Sequence, residues 1–396
     1  MRKQMNILFI CPSEFWSTVE RTALRDCKLL KEEGHNVFLY CLQDSYLDLQ
    51  AKKHELKTIA HPGRFSTSFM RWRKLGHLTD IFDDYKIEIV QCYDIHMLWP
   101  VSFYLRNRPL MSLIFSHNVE IQKNYRQFWY RPLVSRIDVT LIPNREMVES
   151  VVGALGVPPH KIEDCGLGVG EERLYEEQDS NPDQGHFLAN FSDDWLMGCY
   201  IGAHEQKVQF LHPLFHALKV LKRQRPLGRT CKLVLISDKP WDQSLIYPDL
   251  RNYLVDNGLD QDVLFESKTP VIKLQRWMDL WIGVRSFEAI EDYTVTALLG
   301  GLPMVLTRST TSMELIRQNP GVGHTYKRYD SRELRVRVTD ILERREEFTR
   351  KIESSYEKLK EQFGVETYKD QLIKIFSKSL TKRLRFYRKK KLSGRV

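Results

Sequence analysis

Polar residues able to do chemistry in this chain fall where apolar runs stop. His117 follows the run Met111–Ser116, and Ser17 and Thr18 lie between Asn6–Cys11 and a helical pattern that opens at Val19. Lys207 precedes the helical pattern Val208–Lys222. Glu288 and Glu291 lie between the run Leu280–Val284 and the pattern Thr294–Leu299, which contains Thr296. A carboxylate accepts hydrogen bonds from ligand hydroxyls, an imidazole gives or takes one, and a lysine attracts phosphate. A helix N-terminus adds free N–H groups and a dipole that favour anions. These residue types suit a polar, anion-bearing ligand, although His117 reads equally as a hydrogen-bonded core histidine and Glu291 as a surface acid. The seven cysteines are scattered and contain no CxxC, which fits buried thiols and not a disulfide framework or zinc site. No GxGxxG follows the first run, so a generic dinucleotide oxidoreductase is excluded.

The elements that must position these residues alternate. Strand-like runs are Asn6–Cys11, Asn36–Leu42, Ile87–Tyr93, Met111–Ser116 and Val139–Pro143 in the first half. In the second half they are Gly198–Ile201, Cys231–Ile236, Val263–Glu266, Leu280–Val284 and Pro303–Leu306. Amphipathic patterns separate them, which is the grammar of parallel sheets wrapped by helices. A chain of 396 residues is too long for one ordinary core. The expected fold class is α/β, with two Rossmann-like domains facing a cleft and a helical C-terminal extension. The expected boundaries are 1–170 for the first domain, 171–195 for a polar linker, 196–360 for the second domain and 361–396 for a C-terminal helix and basic tail.

Hydrophobic content of 42% with 28% charged residues excludes wholesale disorder. No run approaches the ~20 apolar residues of a membrane-spanning helix, and the first apolar stretch is shorter than a secretory h-region. A cytoplasmic protein is expected. The charge is local: residues 377–396 hold nine basic residues and no acid, which matches the whole net charge of +9. A basic tail on a balanced body argues against a specific nucleic-acid partner. Cations interleaved with Leu384, Phe386 and Tyr387 suit an anionic membrane surface, with a solvated tail as the alternative.

The segment Arg285-Ser-Phe-Glu-Ala-Ile-Glu-Asp-Tyr-Thr-Val-Thr-Ala-Leu-Leu-Gly-Gly-Leu-Pro-Met-Val resembles the donor-site segment of GT-B glycosyltransferases of family 4. Gln261-Asp-Val-Leu-Phe, Met278-Asp-Leu-Trp-Ile and Met313-Glu-Leu-Ile-Arg follow the family's order around it. Val19-Glu-Arg and Leu29-Leu-Lys-Glu-Glu-Gly-His-Asn-Val are similar to its N-terminal half, and Ser116-His117-Asn118 fits a strand end that carries an active-site histidine. The resemblance implies an N-terminal acceptor-side domain and a C-terminal nucleotide-sugar donor domain. It implies retaining transfer of a hexosyl-type sugar from a nucleoside diphosphate to a hydroxyl of a glycan or lipid-linked acceptor, in cell-surface glycan or polysaccharide synthesis, without metal or other cofactor.

Residue by residue, it gives Glu288 and His117 the sugar hydroxyls and Thr296 the ribose. Lys207 and the N–H groups near Ala289 and Ile290 take the diphosphate, and Ser17 and Thr18 fall on the phosphate-side loop of the first domain. The donor motif is degenerate. The family's second Glu falls on Thr296, its Gly-Gly loop on Ser17-Thr18, and its Gly-Arg…Lys-Gly site reads Gly202-Ala-His-Glu-Gln-Lys207-Val, with Lys207 kept, the Arg missing and the loop shorter. Asp260-Gln-Asp262 spells a metal-binding DxD, but it precedes a strand and so lies at the edge away from ligand. A second reading is therefore a catalytically impaired GT-B scaffold or binding subunit of a glycan-assembly complex.

Overall fold

The computed structural model describes residues 4–62, 75–117, 131–169, 186–201, 208–238, 240–244, 246–267, 269, 271–284 and 291–392. The chain divides into two compact units. One comprises Met1–Leu167 with Glu366–Val396, the other Gly168–Val365.

In the first unit the strands are β1 (Asn6–Ile10), β2 (Asn36–Leu42), β3 (Lys57–His61), β4 (Ile89–Cys92), β5 (Ser112–Ser116), β6 (Val139–Ile142) and β7 (Ile162–Asp164). Between them run α1 (Thr18–Glu32), α2 (Tyr46–Lys53), α3 (His77–Asp84), α4 (Leu98–Tyr104), α5 (Arg131–Arg136) and α6 (Val148–Leu155). The sheet order is β3-β2-β1-β4-β5-β6-β7, and every described pairing is parallel. Central strands of such a sheet are covered on both faces, which is why NILFI and NVFLYCL read as unbroken apolar runs. Gly34, at φ +82°, ends α1 and turns the chain into β2.

The second unit repeats the plan. Its strands are β8 (Trp195–Tyr200), β9 (Cys231–Ile236), β10 (Val263–Glu266), β11 (Leu280–Gly283), β12 (Met304–Thr307) and β13 (Gly323–Tyr326), in the order β10-β9-β8-β11-β12-β13, again parallel. Its helices are α7 (His212–Gln224), α8 (Tyr247–Asp256), α9 (Val271–Leu274), α10 (Asp292–Leu299), α11 (Thr310–Gln318), α12 (Ser331–Glu343) and α13 (Arg345–Phe363). The core of this unit gathers Phe215, Leu233, Leu280, Val305, Leu334 and Ile341. Towards the end of the polar stretch, Phe187–Phe191 form a 3-10 turn with Leu188 fully buried, and Trp195 opens β8.

Three strands and three helices escape the apolar pattern, the six-residue α5 (Arg131–Arg136) among them. The strands KTIAH (β3), IED (β7) and GHTY (β13) are all sheet edges, half-covered and correspondingly polar. α2 and α3 are each eight residues long, too short for a decisive period.

The last helix, α14 (Val365–Leu392), returns to the first unit. Tyr368, Leu372, Ile373 and Phe376 are buried there, and the Phe376 ring lies 6.5 Å from that of Phe9 in β1. The Tyr368 hydroxyl donates to the Asp26 carboxylate on α1 at 2.7 Å, which also accepts from Tyr93 at 2.5 Å and Gln91 at 3.3 Å. Ser379 bonds Ser112, and Arg383 reaches Asp138 at 2.7 Å. The packing of the basic segment thus continues past Phe376, helical through Leu392 with Lys382, Arg385 and Arg388 exposed. It was hidden because its packed face is supplied by small and polar residues beyond Phe376. No helix among the described residues is long and apolar enough to cross a membrane.

Candidate active site

In a doubly wound sheet, ligands lie outside the carboxyl ends of the strands, where the strand order reverses. That point falls between β1 and β4 in the first unit and between β8 and β11 in the second.

At the first switch point, Ser17 is the N-cap of α1. Its side chain accepts from the Val19 N–H at 3.3 Å, while Glu20 Oε2 accepts from both the Ser17 N–H at 2.7 Å and the Ser17 hydroxyl at 2.6 Å. This reciprocal capping box follows from the spacing Ser17-Thr-Val-Glu20. Ser17, Thr18 and Glu20 are all buried, and the Thr18 hydroxyl accepts from Arg21 at 3.2 Å. The helix end that would receive a ligand anion therefore already holds a carboxylate of its own.

His117 closes β5 on the same edge of the sheet. Its N–H donates to the Leu141 carbonyl at 2.8 Å, and the side chain is 4% exposed. Burial pushes the imidazole down to about 4, and Nε2 has no hydrogen-bond partner among the described residues. His117 is thus neutral at pH 7, able to serve a hydroxyl but not to supply a cation. A buried ring nitrogen without a protein partner marks a place for a ligand or water. Beside it, a small pocket is lined by Thr22, Arg25, Ser116, Cys165, Gly166 and Tyr368, and the Thr22 hydroxyl lacks a partner as well.

At the second switch point the structure assembles a group that the sequence did not suggest. Asp238, just beyond β9, accepts hydrogen bonds from Tyr200 at the end of β8 and, at 2.7 Å, from Tyr293 in the first turn of α10. The two rings meet edge to face with centroids 4.6 Å apart. A carboxylate between two phenols offers hydroxyl-accepting oxygens beside apolar ring faces, a surface suited to a sugar or nucleoside. The signal was invisible locally, because the three residues come from three elements.

Thr296 lies in the second turn of α10, and its hydroxyl donates to the Asp292 carbonyl at 2.9 Å, a bond within the helix. Only its oxygen lone pairs face outward chemistry. Glu291 is the N-cap of α10 and, with Asp292, is buried, which corrects its reading as a surface acid; the first turn of the helix draws it in. Glu288, Ala289, Ile290 and Lys207 lie outside the described residues.

Nearby, Glu266 at the end of β10 organises the following loop. Its carboxylate accepts from the N–H groups of Ser267 at 2.7 Å and Thr269 at 3.0 Å and meets His186 Nε2 at 3.1 Å, whose ring stacks on Trp277 at 4.6 Å.

Asp262 is structural. It is buried before β10 and paired with Lys222 at 2.5 Å and Lys232 at 3.0 Å. No group of three metal-binding side chains occurs among the described residues, and all seven cysteines are buried thiols.

Against known proteins, residues 19–173 match the model of Glycosyltransferase Family 4. The chain is similar to a glycosyltransferase from Rickettsia africae ESF-5, with 13% identity over 96% of this chain and 99% of that one, at a TM-score of 0.77. It is similar to Anabaena HepE in complex with UDP-glucose, with 15% identity over 95% and 100% of the two chains and a TM-score of 0.76. The apo lipopolysaccharide outer core galactosyltransferase WaaB aligns over 94% of this chain and 100% of its own, with 15% identity and a TM-score of 0.62. No curated protein matches the sequence. The chain therefore has the GT-B glycosyltransferase fold, with residues 19–173 matching glycosyltransferase family 4.

Proposed function

We propose that the protein is a cytoplasmic glycosyltransferase that moves a sugar from a nucleoside-diphosphate donor to a hydroxyl acceptor, with retention of configuration, in cell-surface glycan or polysaccharide synthesis. The observation that carries this reading is the end-to-end alignment of the chain with a UDP-glucose-bound GT-B protein. The chemistry asks mainly for positioning and for stabilisation of charge that develops on the departing diphosphate. Glu288 and the neutral His117 hold sugar hydroxyls, while Lys207 and N–H groups near Ala289 and Ile290 steady the diphosphate. Thr296 accepts from the ribose through its lone pairs, and Ser17 and Thr18 form the phosphate-side loop of the first unit. Glu288→Gln is expected to lower transfer from the preferred nucleotide sugar by about 10²-fold, the usual cost of losing one positioned polar contact. Undiminished turnover in that variant would remove Glu288 from the site.

A second reading, an inactive GT-B scaffold in a glycan-assembly complex, is favoured by one feature. Carboxylates occupy both helix starts where phosphate would bind, Glu20 at α1 and Glu291 with Asp292 at α10. Thermal shift with UDP, GDP and ADP separates the two. A site that binds stabilises the protein by RT ln(1 + [L]/Kd), about 2.7 kcal/mol at a hundredfold excess over Kd. Silence with all three nucleotides selects the scaffold.

A further inference from the structure

We infer that the outer face of α14 docks on an anionic lipid bilayer. The helix has two sides. One packs on the first unit through Tyr368, Leu372, Phe376 and Ser379, with Arg383 bonded to Asp138. The other carries Lys374, Lys378, Lys382, Arg385 and Arg388, all exposed. Their steps of four, four, three and three residues align them along one face. At ~1.5 Å per residue the stripe is about 21 Å long. No acidic residue follows Asp370 to dilute it. Lys378 also reaches Glu163 of β7 at 2.7 Å, so the stripe is held against the unit while its cations stay in solvent.

Charge alone would suit several anionic partners; the apolar residues choose among them. Leu384 and Phe386 stand 43% and 56% exposed on the two flanks of the stripe, beside Lys382 and Arg385. An apolar side chain flanking a row of cations gains by entering a lipid interface once the cations meet lipid phosphates. It gains nothing against the phosphate backbone of a nucleic acid. The rest of the body is charge-balanced, without the broad basic field of a nucleic-acid binder. The inference is independent of the proposed glycosyl transfer, and each stands if the other fails.

The test is co-sedimentation of the full-length protein with vesicles of phosphatidylglycerol and phosphatidylcholine, and with vesicles of phosphatidylcholine alone. Wild type should bind only the anionic vesicles and should release as salt rises through the range where the Debye length shrinks. Reversing three charges of the outer face (Lys382→Glu, Arg385→Glu and Arg388→Glu together) should weaken binding by at least about 10²-fold and leave the thermal transition in place, since none of the three packs against the core. Leu384→Ser with Phe386→Ser should also weaken binding, with the salt dependence retained. Wild-type failure to bind anionic vesicles, undiminished binding by the triple variant, or binding of single-stranded RNA with indifference to vesicles would each overturn the inference.

Discussion

His117 shows how burial decides what a residue can do. The imidazole is pushed down to about 4, so its native form refuses a proton that the unfolded chain accepts near pH 6.5. A depressed native pKa gives stability that is present above the unfolded value and is lost as pH falls towards the folded one. The loss should begin near pH 6.5 and amount to roughly 2 kcal/mol by pH 5. Asp26 runs the other way: burial raises its carboxyl despite its tyrosine partners, so its contribution is present at low pH and lost as pH rises. Comparing wild type with His117→Gln cancels that opposing term. The variant's melting temperature should change less between pH 7 and pH 5 than that of wild type, and parallel pH profiles would show that His117 is not the group responsible. At this scale the sequence was half legible. His117 could be placed on the ligand edge from Met111–Ser116 alone, and the capping box at Ser17 was written in its spacing to Glu20. Asp238 could not be found, because Tyr200 and Tyr293 stand 38 and 55 residues from it and only the sheet order brings them together.

Between elements, the attachment of α14 turns on one carboxylate with two cations. Asp138 takes Arg136 at 3.1 Å and Arg383 at 2.7 Å, and also the Leu113 N–H at 3.0 Å. Burial and the neighbouring Arg383 bring Arg136 down to about 10, a sign of how strained two guanidiniums would be without the acid between them. Asp138→Ala should cost about 3–5 kcal/mol, the usual penalty for stranding a buried charge. Arg383→Met in the same background should recover part of the loss, because the repulsion goes with it. Chemical denaturation of the two singles and the double measures this, and a double variant no better than Asp138→Ala would mean the guanidiniums do not sense each other. Elements were legible largely by the length of their apolar runs: the central Cys231–Ile236 could be bounded to the residue, and so could the edge strand Val263–Glu266, whose Val-Leu-Phe run is apolar, whereas the polar edges β3, β7 and β13 could not be seen. An edge strand needs only one covered flank, so its residues need carry no continuous apolar signature.

On the scale of the whole molecule, the two units differ in how the chain builds them. The second is one continuous stretch, Gly168–Val365, while the first needs both Met1–Leu167 and the return of Glu366 onward. Local periodicity carries no information on which sheet a final helix will join, so the sequence could supply α14 but not its address. The two crossings run side by side, for Val169 pairs in parallel with Gly364 and its N–H donates to the Phe363 carbonyl at 2.7 Å. Such proximity makes the second unit an insertion that can be excised. A chain joining residues 1–167 to 366–392 through a short Gly/Ser linker should fold cooperatively, since loop closure over a few residues adds little entropy cost. Residues 1–167 alone should not, because the faces that receive Tyr368, Leu372, Ile373 and Phe376 would open to water. Each fully buried side chain of this kind is worth about 1.5–3 kcal/mol, and the several lost together rival the ~5–15 kcal/mol stability of a typical domain. Circular dichroism melts of the joined and truncated chains decide the matter. A cooperative, soluble 1–167 fragment would show that α14 decorates the first unit instead of completing it.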